Sequence, residues 1–314
     1  MKHIFVVNPA AGAVDATEIV KNAVSKLNID YEIYCTKCQG DATRFVEGLS
    51  NDEHYRVYAC GGDGTFNEVS SGAVGRENIS VLVFPCGSGN DYIKYYGKVE
   101  DFKDLESLVN GIDTKVDIMK VHGRYAINFV HFGFDSACLK TMLKVRRKKI
   151  IGGKHAYTTG VVTALINGMK HNCTVKVNGK QLGKDKMLLC TIGNGKYVGG
   201  KYKCAPLSDN ADGLLEICHV NTISRFNILR LISAYEKGSH LTDKRFKKYV
   251  NYVRGTVVEV ESTNGKELSF SIDGELNFAN SFKVEIIKRA VNFVVPKKLS
   301  DKLSVLRGVE EVVS

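Results

Sequence analysis

No stretch of the 314-residue sequence approaches the ~18 apolar residues that a membrane-crossing helix requires. The N-terminus is also short of apolar length: Ile4-Phe5-Val6-Val7 runs into Asn8-Pro9, below the roughly 7–15 residues of a signal peptide's core. A cytoplasmic chain is the expectation. Internal repeats and low-complexity segments are missing too, which leaves an ordinary folded chain. The nine cysteines are odd in number and irregularly spaced. Cys35 and Cys38 form a single CxxC with no second pair nearby, so they read as reduced thiols and not as a zinc or redox centre. No Gly-Lys pair is followed by Ser or Thr, which excludes a P-loop. Gly193-Asn194-Gly195 meets Val198 where the dinucleotide fingerprint wants glycine, and this argues against a nicotinamide oxidoreductase.

Acid is scarcer than base. With 44 Lys and Arg against 34 Asp and Glu, the formal charge is +10. Such an excess attracts polyanions, whether nucleotide phosphates, nucleic acid or an anionic membrane. Much of it lies in Lys140–Lys154, which holds no acid, and in Lys237–Arg254, with Lys244, Arg245, Lys247 and Lys248. The plain reading of each cluster is a solvated helix face. Length favours two domains, and 44% hydrophobic with 25% charged residues is the make-up of a soluble globular protein.

Strand and helix signals alternate through the first third. Strands are expected at Ile4–Val7, Tyr31–Cys35, Arg56–Cys60 and Val81–Phe84. Helices are expected at Thr17–Leu27, at Asp41–Leu49 and from Phe66. Alternation of this kind implies an α/β sheet with ligand-binding loops beyond the carboxyl ends of its strands. After about Asp117 the rhythm becomes one of short strands, expected at Val116–Val121, Tyr125–Val130, Thr174–Val177, Met187–Ile192, Leu214–Val220, Thr256–Glu261, Leu268–Ile272, Lys283–Ile287 and Val291–Val295. Turns such as Asn178-Gly179 and Asn264-Gly265 separate several of them. Helical interruptions are expected near His155–Met169 and Ser224–Ser233, and a short helix after Pro296. The fold class is therefore α/β plus β: an α/β nucleotide-binding domain over residues 1–116, completed by 296–314, and a β-sandwich-like domain over 117–295.

Glycines after a strand let backbone N–H groups approach phosphate oxygens, and a following helix adds its dipole. Gly61-Gly62-Asp63-Gly64-Thr65-Phe66-Asn67 has this layout. Asn8 and Gly12, Thr36, and Ser88 with Asn90 and Asp91 would lie on the same sheet edge. Each loop alone reads better as a tight turn or helix cap than as a phosphate site; four on one edge point to a phosphate site.

These segments resemble the successive motifs of the diacylglycerol kinase catalytic family, which includes soluble bacterial lipid kinases and is related to sphingosine and NAD kinases. The motifs are Asn8-Pro9-Ala10-Ala11-Gly12, Thr36 with Gly40-Asp41-Ala42, GGDGTFNEV at 61–69 and PCGSGNDYIK at 85–94. VDIMKV around Asp117, NFVHFGFDS at 128–136, YVGGKYKCAP at 197–206, DNADGLLE at 209–216 and Asp273-Gly274-Glu275 continue them in order.

The resemblance implies a site in the cleft between the domains, using ATP and Mg²⁺. ATP would be held by Asn8 to Gly12, Thr36, Gly61 to Asn67 and Ser88, with Asn90 and Asp91 beside it. Glu275 would be the base for the lipid hydroxyl, with Asp63 and Asp91 near the phosphates and Lys94 where many relatives carry arginine. A structural Mg²⁺ would rest on Asp209, Asp212 and the carbonyl of Leu214, linked through water to Asp117. Read without the family, both acidic segments are polar turns.

The implied activity is phosphoryl transfer from ATP to diacylglycerol, giving phosphatidic acid. The implied partner is lipid at an anionic membrane surface, reached peripherally, with no nucleic acid expected and a homodimer left open. Two alternatives stand beside it. One is a kinase of another acceptor: a sphingoid base, another lipid alcohol or NAD. The other is a non-catalytic lipid- or nucleic-acid-binding protein.

Overall fold

Four apolar segments build a parallel sheet. They are β1 (Lys2–Val7), β2 (Tyr31–Cys35), β3 (Tyr55–Gly61) and β4 (Ile79–Pro85), in the spatial order β4-β3-β1-β2. In this computed structural model, which describes residues 1–11, 15–87, 89–146, 163 and 170–308, every residue of β3 is buried. A parallel strand covered on both faces must be apolar throughout, and this one is. Helices α1 (Ala16–Val24), α2 (Asp41–Glu47) and α3 (Asp63–Gly72) follow the first three strands. Asp15 caps α1 by accepting the Thr17 N–H at 2.8 Å. A short helix α4 (Leu105–Val109) was not foreseen; Asp104 caps it through the Ser107 N–H.

Residues Met1–Ile118 and Lys288–Ser314 form one compact unit and Met119–Ile287 another. This differs from the expected division at 116/117 and 295/296. The two C-terminal strand signals, 283–287 and 291–295, are one strand, β16 (Ser281–Val295), that carries the chain from the second unit into the first. Asn292 and Phe293 pair in parallel with β4, so the strand's end belongs to the first sheet. The helix after Pro296 is α7 (Ser300–Arg307), in the first unit.

The second unit is β-rich. Strand β5 (Ile112–Val121) begins in the first unit and ends in the second, and after β6 (Arg124–Ala126) strand β7 (Phe129–Gly133) leads into helix α5 (Phe134–Arg146), which the sequence reading lacked. Then come β8 (His171–Val177), β9 (Lys180–Gln181), β10 (Lys186–Gly193) and β11 (Leu215–Asn221). After helix α6 (Arg225–Lys237) follow β12 (Val250–Gly255), β13 (Val257–Ser262), β14 (Leu268–Ile272) and β15 (Glu275–Ala279). The expected helix at 155–169, residue 163 apart, lies outside the described residues, as do residues 147–154 of the first basic cluster.

Antiparallel pairing links β15-β14-β7-β10-β8-β13-β16, where Lys186 and Met187 of β10 pair with Asn172 and His171 of β8, and β11 with β12 branches from β10. Val130 and Phe132 of β7 meet Val175, Val258, Phe270 and Phe282 in one apolar core. The opposite face of β7 places Phe129 in a second core, closed by Ile228, Leu231 and Tyr235 of α6. The period-two alternation of β7 thus serves two layers.

Candidate active site

Val7, Cys35, Cys60 and Phe84 stand level in the parallel register, so the chain leaves all four strands at one edge. Backbone bonds join the exits. Asn8 donates its N–H to the Cys60 carbonyl at 3.1 Å, Thr36 to Val7 at 2.9 Å, and Cys86 and Gly87 both to Gly61 at 2.9 Å. A Cβ on Gly87 would fall 2.4 Å from Gly62 Cα, so the two glycine loops pack backbone against backbone. A Cβ on Gly64 would meet nothing within 4 Å. That side of the turn is open.

Helix α3 begins at this open side. No side chain caps it at Gly62, and its first internal bond runs from the Phe66 N–H to the Gly62 carbonyl at 3.1 Å. The N–H groups ahead of Phe66 have no acceptor within the helix, and the helix dipole favours an anion there. Asn8 spans the loops: its Oδ1 accepts the Ala10 N–H at 3.0 Å, and its Nδ2 donates to Thr65 Oγ1 at 3.3 Å. Pro9 and Ala11 are half-buried, and Ala10 is exposed.

Two carboxylates sit behind this turn. Asp63 Oδ1 accepts the N–H of Asp91 at 2.7 Å and of Tyr92 at 3.2 Å. Burial first, then the negative charge of Asp91, lifts the Asp63 carboxyl above the ordinary range. Lys94 donates to Asp91 Oδ1 at 2.6 Å. Asn90 adopts φ 48° and donates to the Gly87 carbonyl at 2.8 Å, while its Oδ1 is buried without a hydrogen-bond partner. Phe66 departs from its expected role in binding. Its ring is buried against Tyr92 and Phe293, so only its backbone belongs to the turn. Asn67 takes a hydrogen bond from Ser71 along α3. Gly12 and Ser88 lie outside the described residues.

In the second unit β14 and β15 are joined by Asp273 and Gly274, with φ of 43° and 88°. Two consecutive positive φ values make a type I′ hairpin, for which Asp-Gly is a preferred pair. The Asp273 carboxylate accepts the N–H groups of Ile127 and Phe129 at 2.7 Å and of Asn128 at 3.1 Å. Those bonds pin the turn to the start of β7. Glu275 opens β15 with its side chain 36% exposed and its carboxylate paired with the Arg124 guanidinium. Arg124 also donates to Asn277 Oδ1 at 3.2 Å.

Residues 2–121 match the diacylglycerol kinase catalytic domain, and residues 128–295 match the YegS C-terminal NAD kinase beta sandwich-like domain. The chain belongs to the diacylglycerol kinase family of lipid kinases. It is 26% identical to the diacylglycerol kinase of Bacillus subtilis, over 94% of this chain and 97% of that one. It is 27% identical to a "Probable lipid kinase YegS-like" of Yersinia enterocolitica, over 88% and 92% of the two chains. The crystal structure of a Bacillus anthracis diacylglycerol kinase superposes with a TM-score of 0.67 over 95% of this chain and 98% of that one. At 20% identity, that superposition speaks for the fold alone.

For this kinase, the residues that sequence reading passed over are mostly those that hold the site together. Glu68 accepts the N–H groups of Gly40 at 2.9 Å and Ala42 at 3.3 Å, strapping the loop after Thr36 to α3. Its place in GGDGTFNE was visible, but its long-range partners were not. Arg124 and Asp273 likewise act over 144 or more residues of sequence separation.

The expected metal residues form a tight acidic turn. Asp209 Oδ1 accepts the Ala211 N–H at 3.0 Å, and Asp212 Oδ1 the Leu214 N–H at 2.9 Å. Burial first, with the charges of Asp209 and Glu216, lifts the Asp212 carboxyl above its usual range. A divalent cation would relieve that crowding, and oxygen ligands suit Mg²⁺. Arg254 supplies part of the compensation, with its Nε 2.6 Å from Glu216 and its Nη1 3.7 Å from Asp212. Among the described residues no group of three or more His, Cys, Asp or Glu could hold a metal. Mg²⁺ here would depend on the Leu214 carbonyl and on water. Asp117 is fully buried, and its Oδ1 accepts the Arg289 N–H at 2.7 Å where β16 turns to φ 50°.

Proposed function

We propose that this kinase transfers the γ-phosphoryl group of ATP to the free hydroxyl of diacylglycerol, giving phosphatidic acid and ADP. The observation that carries the reading is the contact of Gly87 with Gly62, which sets the uncapped start of α3 beside the linked pair of Asp63, half-buried, and Asp91, buried. In this reading the first-turn N–H groups and the Asn8 loop take the phosphates, with Lys94 adding positive charge. Mg²⁺ arriving with ATP would neutralise the transferring group, and the crowded Asp63 and Asp91 are the oxygen donors that suit it.

Glu275 takes the proton as the lipid hydroxyl oxygen attacks the γ-phosphorus and the bond to the bridging oxygen of ADP breaks. Arg124, paired with that carboxylate, keeps it aimed. Phosphoryl transfer requires orientation and charge neutralisation more than covalent help, and these groups supply both. In this reading the enzyme works peripherally at the membrane surface, where its lipid acceptor resides. No helix among the described residues is long and apolar enough to cross it.

The test is transfer from labelled ATP to a panel of lipids in mixed micelles, with Mg²⁺, for the wild type and Glu275→Gln. Label is expected on diacylglycerol, with a loss of ~100-fold or more in the variant. Label on a sphingoid base or on NAD instead would replace the acceptor. An unchanged variant rate would remove Glu275 from the mechanism.

A further inference from the structure

Helix α6 presents two faces of opposite character. Ile228, Leu231, Ala234 and Tyr235 are buried beneath it in the second core. On its outer side Phe226 is 63% exposed and Leu229 56%, one helical turn apart. Apolar side chains of this size at such exposure need a reason when they lie together.

Beside them runs an open groove of about 560 Å³, whose lining includes Arg230, Lys244, Arg245, Lys247 and Lys248. The lysines and Arg245 belong to a segment folded back by turns from Ser239 to Tyr249 and anchored by the buried Phe246. Asp243 is engaged by Arg245, its Oδ1 accepting from the Arg245 Nε at 2.9 Å. Arg230, Lys244, Lys247 and Lys248 have no carboxylate partner among the described residues. The Arg230 guanidinium lies 4.2 Å from the Phe226 ring centroid, joining the apolar and cationic parts into one surface.

We propose that this surface docks the kinase on an anionic lipid bilayer, with Phe226 and Leu229 entering the interface and the groove cations meeting lipid headgroups. A second copy of the chain does not fit, because the face would meet its own positive charge. Nucleic acid would use the cations, yet it gives Leu229 nothing to enter. A bilayer has both an anionic plane and an apolar layer beneath it, and the surface carries a complement to each. The inference rests on the lipid-kinase reading for its purpose but not for its measurement, since binding to vesicles needs neither ATP nor turnover.

The experiment is co-sedimentation of the full chain with vesicles of phosphatidylcholine alone or with a third phosphatidylglycerol, in low and high salt. Binding is expected only to the anionic vesicles, and it should weaken with salt. Lys244→Glu with Lys247→Glu should weaken it by roughly 5-fold or more for each cation removed. Phe226→Ser with Leu229→Ser should weaken it by ~10-fold or more while leaving the salt dependence in place. Lys180→Glu with Lys266→Glu, on exposed sites elsewhere, matches the charge change and should bind as the wild type does. Unfolding temperature establishes that each variant is folded. Lys244→Gln with Lys247→Gln replaces the reversal if that one fails to fold.

Equal loss in the control pair would overturn the placement, because net charge alone would then explain binding. Wild-type binding by both surface variants, or equal binding to neutral vesicles, would overturn it as well. Tighter capture of single-stranded RNA than of anionic vesicles, lost with the same cations, would assign the surface to nucleic acid instead.

Discussion

The Asp63 carboxylate accepts the backbone N–H of Asp91 at 2.7 Å, so the side chain that opens α3 is anchored to the loop after β4. One residue thereby sets the spacing of two loops and holds a charge that burial and Asp91 both oppose. Stability and chemistry pull against each other at this point.

Asp63→Asn should separate them. The folded carboxyl holds its proton more tightly than the unfolded one, so stability falls as pH rises from the ordinary carboxylate range through the raised value. Asparagine keeps the acceptor oxygen for Asp91 and Tyr92 and removes the charge. Thermal unfolding at pH 7–8 should rise by ~2–4 °C, with the gain vanishing below about pH 4, while kinase activity is lost. A lower unfolding temperature at pH 8 would show that the charge stabilises the fold.

Arg124 pairs with Glu275 and is held at its other end by Asn277. Arg124→Ala should lower kcat by ~10–100-fold, the scale of a misplaced reacting group, with the KM for ATP little changed. Arg124→Lys should recover part of the rate, since it restores the charge without the planar fork. A change confined to the KM for ATP would place Arg124 elsewhere in the reaction.

Gly87 and Gly64 should respond differently to alanine. At Gly87 the new methyl falls on the Gly62 backbone, and such overpacking costs about 1–3 kcal/mol. Gly87→Ala should therefore lower both the unfolding temperature and the affinity for ATP. At Gly64 a new methyl would meet no atom within 4 Å beyond its own helix turn, so Gly64→Ala should keep its unfolding temperature and lose only ATP affinity, as calorimetric titration would read. Undiminished ATP binding in Gly64→Ala would show that phosphate does not occupy the open side of the turn.

His219 and His240 are buried, and burial pulls both down to about 4. Unfolded, they titrate near 6.5. The stability that their neutral rings support is complete above pH 6.5 and lost as pH falls from there through about 4. The urea midpoint should drop across that window, and the drop should be smaller in His240→Phe, where an aromatic ring still stacks on Tyr235. An identical pH profile in that variant would exclude His240 as a source of the acid sensitivity.

Local chemistry made much of this kinase legible without coordinates. Tyr31–Cys35 and Leu268–Ile272 were readable to the residue, because apolar or alternating runs ended at turn formers. Gly61–Thr65 announced a strand meeting a helix through glycines, and parallel strands must bring such loops to one edge.

What stayed hidden depended on partners distant in sequence. Helix α5 was obscured because its first residues continue the apolar run of β7. Strand β12 was obscured by the lysines before it, and only pairing with β11 makes it a strand. The division of β16 between two units follows from its pairing with β13 at one end and β4 at the other. Asp273-Gly274-Glu275 read alone as a polar turn. The amides of Ile127, Asn128 and Phe129, leading into β7, hold Asp273, and the guanidinium of Arg124 fixes the Glu275 carboxylate. Turn and strand propensities act within a few residues, so they are written in sequence. Hydrogen bonds and ion pairs between remote segments exist only once the chain has folded, and they decide which polar residues are held in place.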